Sequence, residues 1–557
     1  MTTRSKFLRA AAVTVAVMAL AGCNAIPGSG PVQVGLTDLK QIDQLVQFNP
    51  SGPVSGSSQE DLVRGFVQAA TSSSDDYSVA REFLSTEYAD QWDPYTGVLI
   101  DDGSRPYRDD GGSAGVLSLA AAANVDAQGL MVPAEPGPTT DMRFEFERAG
   151  DEWRISSAPS GIILDRSDFL AIWSSQELNF IGPDGLLVPE TRWYLNRAAL
   201  ATEIVGGLIE GPGRRMQESV RSGFPAGTTL VTGTVPIVDG HAKIDLSGEL
   251  LEAEPGTLEE VVQQLSTSLK SVQGVNGFGL LGDGATMRGG ATAARSELRP
   301  SGGIASPAVI IGGTLGILIG GDFREIAGLT GPVNDLDPTA VTLSPDATSA
   351  AVQHAGGVSR VSADESAIID DRDGLLEPSF DGFGVIWTVQ AETAGQLRIN
   401  TIDGSEATVA APWLAGREPV AVRLSPDGSQ IAALVESPEG SVVLVAGVVR
   451  DDSGVPLRTT DEAVAQLWTT GAPVDFDWID DTKFAALTNL GSASKITTGG
   501  PGLFSQEQGS VPEGTQISGG GIRSQLRVLG DGDDLFASQG SGWQRIDNEI
   551  ELLAKRG

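Results

Sequence analysis

Leu343-Ser344-Pro345-Asp346 returns 81 residues later as Leu424-Ser425-Pro426-Asp427-Gly428. That interval is two periods of about 40, the length of a four-stranded propeller blade, and no other feature restricts the fold as strongly. Ser-Pro-Asp-Gly suits a tight turn: proline presets φ, the serine and aspartate side chains bond the local backbone, and glycine accepts the exit geometry. Looser turn-then-strand units are Pro378-Ser379-Phe380-Asp381 before Val385-Ile386-Trp387, Phe476-Asp477-Trp478-Ile479-Asp480 before Phe484-Ala485-Ala486-Leu487, and Asp533-Asp534 before Leu535-Phe536-Ala537. Roughly 250 residues at about 40 per blade predict an all-β propeller of about six blades over 307–557.

At the other end, Arg4, Lys6 and Arg9 precede an apolar run from Ala10 to Leu20, and Leu20-Ala21-Gly22-Cys23 resembles the bacterial lipobox. Residues 1–22 read as a signal peptide whose apolar run, at about 1.5 Å per residue, is too short to span a membrane. Cleavage leaves Cys23 as the first mature residue, carrying an S-diacylglycerol and an N-acyl group, since stable anchoring takes more than one chain. Cys23 is the only cysteine among 557 residues, which excludes an intramolecular disulfide or a cysteine-based zinc site. With 73 acidic and 37 basic side chains the net charge is -36, which argues against binding nucleic acid or anionic lipid head groups through charge.

Between these ends the chain divides into a Gly/Pro/Ser-rich tether over 23–57, a small α+β domain over 58–165, a second α+β domain over 176–284, and a linker over 285–306. In the first domain Ser57 and Glu60 form a capping box, Leu62, Val63, Phe66 and Val67 share one helical face, and a second helix covers Ser78 to Leu84. The second domain opens with a hairpin turning at Pro183-Asp184-Gly185, followed by a helix carrying Leu200, Ile204, Val205, Leu208 and Ile209 that Gly211-Pro212-Gly213 stops. Strands Thr229 to Val238 and His241 to Leu246 follow. A Thr257/Glu260 capping box then opens a second helix, and Val275 to Leu281 closes the unit as a strand.

Catalytic chemistry is thin. Only His241 and His354 are available for histidine acid–base work, the first after a hairpin turn and the second in a propeller strand region. Ser492-Ala493-Ser494-Lys495 has an S-x-x-K spacing but sits among Gly and Ser without S-D-N or K-T-G partners. Asp381 to Trp387 nearly matches a sialidase Asp box and reads as turn architecture; Asp371, Asp373 and Gly374 imitate part of a calcium loop without its first and closing ligands. Gly312-Gly313-Thr314-Leu315-Gly316 lacks the lysine of a phosphate loop. Arg214-Arg215 is the most basic short site, a solvated turn or a contact for an anion or partner. No catalytic, cofactor or metal residues are assigned. Most of the five propeller tryptophans, Trp387 and Trp478 among them, are expected to fill space between blades.

Leu208-Ile209-Glu210-Gly211-Pro212, Phe224-Pro225-Ala226-Gly227-Thr228 and Asp239 to Ser247 resemble the GerMN domain. The whole arrangement resembles the actinobacterial LpqB lipoprotein family, most tellingly in Cys23 to Gln33, in Val63-Arg64-Gly65-Phe66 with Ala80-Arg81-Glu82-Phe83-Leu84, and in Leu376-Glu377-Pro378-Ser379. That resemblance implies a non-enzymatic protein anchored at the extracytoplasmic face of the cell membrane. It further implies binding to the extracytoplasmic part of the sensor kinase MtrB, modulating the MtrAB two-component system in envelope growth and division. The alternatives are a cell-wall glycan-binding scaffold and a glycan hydrolase or lyase using two carboxylates, for which a raised pKa beside a second carboxylate in a cleft is the mark.

Overall fold

The computed structural model describes residues 50–287, 307–540 and 542–557. The signal peptide, Cys23, most of the expected tether and most of the expected linker lie outside the described residues. Among the described residues no helix is long and apolar enough to cross a membrane.

The helix Gln59–Ala69 exists because its apolar residues recur on one face, and Leu62, Val63, Phe66 and Val67 are all buried. Its cap differs from the expected one. Ser58 is the N-cap, its Oγ accepting the Asp61 amide at 3.1 Å, while Asp61 accepts the Ser58 amide at 3.2 Å. Ser57 instead bonds the Val54 carbonyl, and Glu60 pairs with Arg64 one turn on. The next helix, Ser78–Arg81, is shorter than expected. Both pack around Trp92, whose ring lies 5.0 Å from Phe66 and 6.0 Å from Tyr77. Below them a sheet runs in the order Glu152–Ser157, Thr139–Ala149, Ala114–Asp126, Gly97–Asp101, Ile162–Asp165.

Trp173–Ile181 and Leu187–Leu195 form the hairpin, turning at Gly185 with φ +77°. The helix Leu200–Glu210 follows and ends on a buried cation: Arg192 donates to the Gly211 carbonyl at 2.6 Å and to Glu190 at 2.7 Å. A positive charge there satisfies carbonyls that the helix leaves without partners. Burial works against the Arg192 guanidinium, and Glu190 and Tyr194 beside it together more than offset that, holding its pKa above the ordinary arginine value. The remaining sheet runs Ile237–Val238, His241–Leu246, Gly277–Gly282, Ala285–Thr286. Two expectations fail here. The strand expected from Thr229 is regular only over Ile237–Val238. The helix Pro255–Ser268 starts two residues before Thr257, with Glu254 as N-cap and proline in the first turn, where its missing N–H matters least. Glu260, freed from capping, takes Arg221 at 2.7 Å.

From Ala308 onward the chain is a six-bladed propeller. Its innermost strands are Leu552–Arg556, Ala340–Leu343, Ser379–Phe380, Pro419–Leu424, Ala472–Trp478 and Gly514–Ser518. Each touches the next, and the last returns to the first, so the ring is closed. Closure depends on Leu552–Arg556, which pairs antiparallel with Ala308–Ile311 and so completes the first blade from the far end of the sequence. Ser-Pro-Asp turns join first to second strands: Asp346 accepts from Ser344 at 2.7 Å and Asp427 from Ser425 at 2.6 Å. The Asp533 turn joins second to third strands instead, because the first connection of that blade is spent on the short helix Arg523–Gln525.

Candidate functional site: the propeller axis and an aromatic cleft

Apart from Thr342–Leu343 paired in parallel with Lys555–Arg556, an innermost strand has one edge without a ladder partner, and its N–H groups need acceptors. Here the neighbouring innermost strand supplies them through side chains. Ser379 accepts the Leu424 amide at 3.1 Å, Asp475 that of Ile517 at 2.8 Å, Asp477 that of Gly519 at 2.7 Å, and Gln516 that of Leu553 at 2.8 Å. Asp475 and Asp477 share a strand face because side chains alternate with period two. Into this acidic corner comes Lys555, with no exposed side-chain surface, whose Nζ lies 2.5 Å from Asp475 and 3.2 Å from Glu377. Glu377 also holds Arg423. Asp477 is the group under tension: burial pushes its pKa up to about 6, against the pull of Lys555 and Arg423.

A second feature lies where the first two α+β bodies meet. Tyr77, Tyr95, Trp173, Trp193 and Tyr194 line a cavity of about 260 Å³, floored by Gly206 and Gly207 of the helix Leu200–Glu210. The rings are held in place. Tyr95 donates to Asp76 at 2.9 Å, Trp173 stacks on Phe169 at 5.5 Å, and Trp193 donates from Nε1 to the Gly502 carbonyl at 2.8 Å. Arg197, also in the lining, is bound by Glu203 with Nε to Oε1 at 3.0 Å.

Three family models cover the chain in succession. Residues 52–170 match the model of the LpqB lipoprotein N-terminal domain, 177–288 a model described as sporulation and spore germination, and 313–551 that of the LpqB lipoprotein β-propeller domain. The chain belongs to the LpqB lipoprotein family. It is 27% identical to lipoprotein LpqB of Thermobifida fusca, over 86% of this chain and 87% of that one. It is 25% identical to lipoprotein LpqB of Streptomyces avermitilis, over 95% of each. The first GerMN domain of the sporulation protein GerM from Bacillus subtilis aligns with 22% of this chain and 96% of that domain, at 22% identity and a TM-score of 0.19, too low to argue from.

Residues singled out in the sequence fall into ordinary places in this family member. Asp381 is buried and accepts from the Phe383 and Val385 amides at 2.9 and 3.0 Å, from Trp387 Nε1 at 2.9 Å and from Arg450 at 2.6 Å, which fixes it as a turn hook. His241 is exposed, with Nδ1 3.1 Å from the Asp239 carbonyl, and His354 faces Ser359 at 2.8 Å. Lys495 lies on the strand Ser494–Gly500 and bonds Thr470, away from any helix start. Gly312 and Gly313 form a hairpin turn with φ +55° and +74°. Asp371 and Asp373 flank Arg372, which pairs with the buried Asp370 at 2.7 Å; among the described residues no group of three or more His, Cys, Asp and Glu could hold a metal ion. Arg215 reaches the propeller, donating to Gln430 at 3.1 Å, so its contact is within the chain. The tryptophans Trp387, Trp413 and Trp478 are buried. Lys555, Arg423 and Asp475 carried no sequence signal, and Glu377 entered only within the family-like stretch Leu376 to Ser379.

Proposed function

We propose that the chain is a non-enzymatic accessory of the MtrAB system, tethered through acylated Cys23 at the extracytoplasmic face of the cell membrane and binding the extracytoplasmic part of the sensor kinase MtrB. The observation that carries this reading is the continuity of the likeness: LpqB models at both ends of the chain, and relatives that align over 95% of it. Confinement beside a membrane-embedded kinase raises the effective concentration without any new contact. The carboxylate-hydrolase alternative draws less support, because both Asp475 oxygens are already engaged, by Lys555 and by the Ile517 amide, and one Asp477 oxygen by Gly519. A glycan-binding scaffold is left as an outcome of the test.

Crosslinking in intact cells should recover the MtrB sensor region with this chain, while the purified chain leaves cell-wall fragments unhydrolysed. Recovery of no kinase would overturn the reading, and turnover of fragments would favour the hydrolase. Cys23→Ala should abolish fatty-acid labelling and release the protein from membranes in a high-salt wash while its circular dichroism stays unchanged. A variant still labelled and membrane-bound would refute the anchor.

A further inference from the structure

We propose that the aromatic cleft is a binding site for a small organic cation, an ammonium group on a compact apolar body. Five aromatic side chains converge on a space of about 260 Å³. Ring faces are electron-rich and attract a cation, most strongly where water is excluded. The ionisable lining selects the same sign. Arg197 is cancelled by Glu203, leaving Glu210 and Asp126, both carboxylates, to set the charge of the cleft. A net charge of -36 on the chain adds long-range attraction for cations and repels anions.

Gly206 supplies an independent observation. It sits inside the helix Leu200–Glu210, where glycine is destabilising relative to alanine, so a reason for it is needed. Packing gives none, since a Cβ there would meet no atom within 4 Å. Its neighbour Gly207 is different: a Cβ would meet Tyr194 Oη at 2.6 Å and Leu178 at 2.8 Å. Gly207 is therefore required by the fold, whereas Gly206 keeps the floor of the cleft open.

The test is calorimetric and fluorescence titration of the purified full chain with choline, with its uncharged isostere 3,3-dimethylbutan-1-ol, and with N-acetylglucosamine. Choline should bind saturably and change the emission of Trp173 and Trp193. The uncharged isostere should bind at least about tenfold more weakly, the factor that a cation–π and charge contribution of ordinary size provides. Gly206→Phe should lower choline affinity at least about tenfold by filling the cleft, and Gly206→Ala should lower it by a smaller factor. Glu210→Gln, at the exposed end of the helix, should weaken choline binding severalfold, and keeps the proposal testable if the phenylalanine variant misfolds. Equal binding of choline and its isostere, binding of N-acetylglucosamine alone, indifference to both Gly206→Phe and Glu210→Gln, or no choline binding up to about 10 mM would each overturn the assignment.

Discussion

At Asp477 the fold resists an ionisation that the unfolded chain would allow. Its pKa is about 6 in the native protein against an ordinary 3.8, so the folded state holds the proton more tightly than the unfolded one. Stability from this group is fully present below about pH 4 and is lost as the pH rises through about 6, an effect of roughly 1 to 3 kcal/mol. Asp477→Asn keeps an oxygen for the Gly519 amide and removes the titration. The variant should gain stability over the wild type at pH 7.5 and match it more closely at pH 4.5, measured by denaturant unfolding. Parallel pH dependence in the two proteins would count against it. The sequence suggests a turn over Phe476 to Asp480, but Ala472–Trp478 is a strand and the turn comes only after it, because the alternation of carboxylates with large apolar residues suits a buried innermost strand. Where the carboxylates go is not legible in the sequence, because their partners Arg423, Gly519 and Lys555 come from other blades, Lys555 lying 80 residues beyond Asp475.

Helix faces and turns are legible because their causes are local, whereas cap registers are decided by what the neighbouring chain permits. Ser57/Glu60 and Ser58/Asp61 both satisfy the capping pattern, and only one can hold the first turn. Asp61 is exposed and hydrogen-bonded to Ser58, which keeps its carboxyl below the usual aspartate range. Ser58→Ala should therefore destabilise by about 1 kcal/mol, and Ser57→Ala by less than about 0.5 kcal/mol. Equal losses in thermal unfolding would return the cap to Ser57. The Ser-Pro-Asp turns show the opposite case: proline, aspartate and the following residues close the hook among themselves, so the 81-residue spacing gave the correct blade period. Where a blade inserts a short helix, as before Arg527–Gly530, the same Asp-rich signal marks a different connection.

The three bodies are joined by a seam that no single stretch of sequence announces. Phe504 of the fifth blade packs 5.9 Å from Phe169 and 5.7 Å from Trp193, with Arg166 4.4 Å over its ring. Trp193 from the hairpin donates to Gly502 on the same blade at 2.8 Å. On the other side Arg458 pairs with Glu218, and a Cβ at Gly447 would strike the Arg215 carbonyl at 2.5 Å, so the propeller backbone approaches the second body closely. Aromatic rings from all three segments share one cluster, and their melting should be coupled. Phe504→Ala should destabilise by roughly 2 kcal/mol, less than a fully buried phenylalanine because Phe504 is only partly enclosed. Trp193→Phe should lose about 1 kcal/mol from the orphaned Gly502 carbonyl. The wild type should unfold in one calorimetric transition. Phe504→Ala should separate a propeller transition from that of the N-terminal bodies, since the ring contacts to Phe169 and Trp193 and the stacking of Arg166 are lost together. A single unshifted transition in Phe504→Ala would mean that the bodies are coupled through the Arg215–Gly447 side instead, and Gly447→Ala should then be the change that splits them.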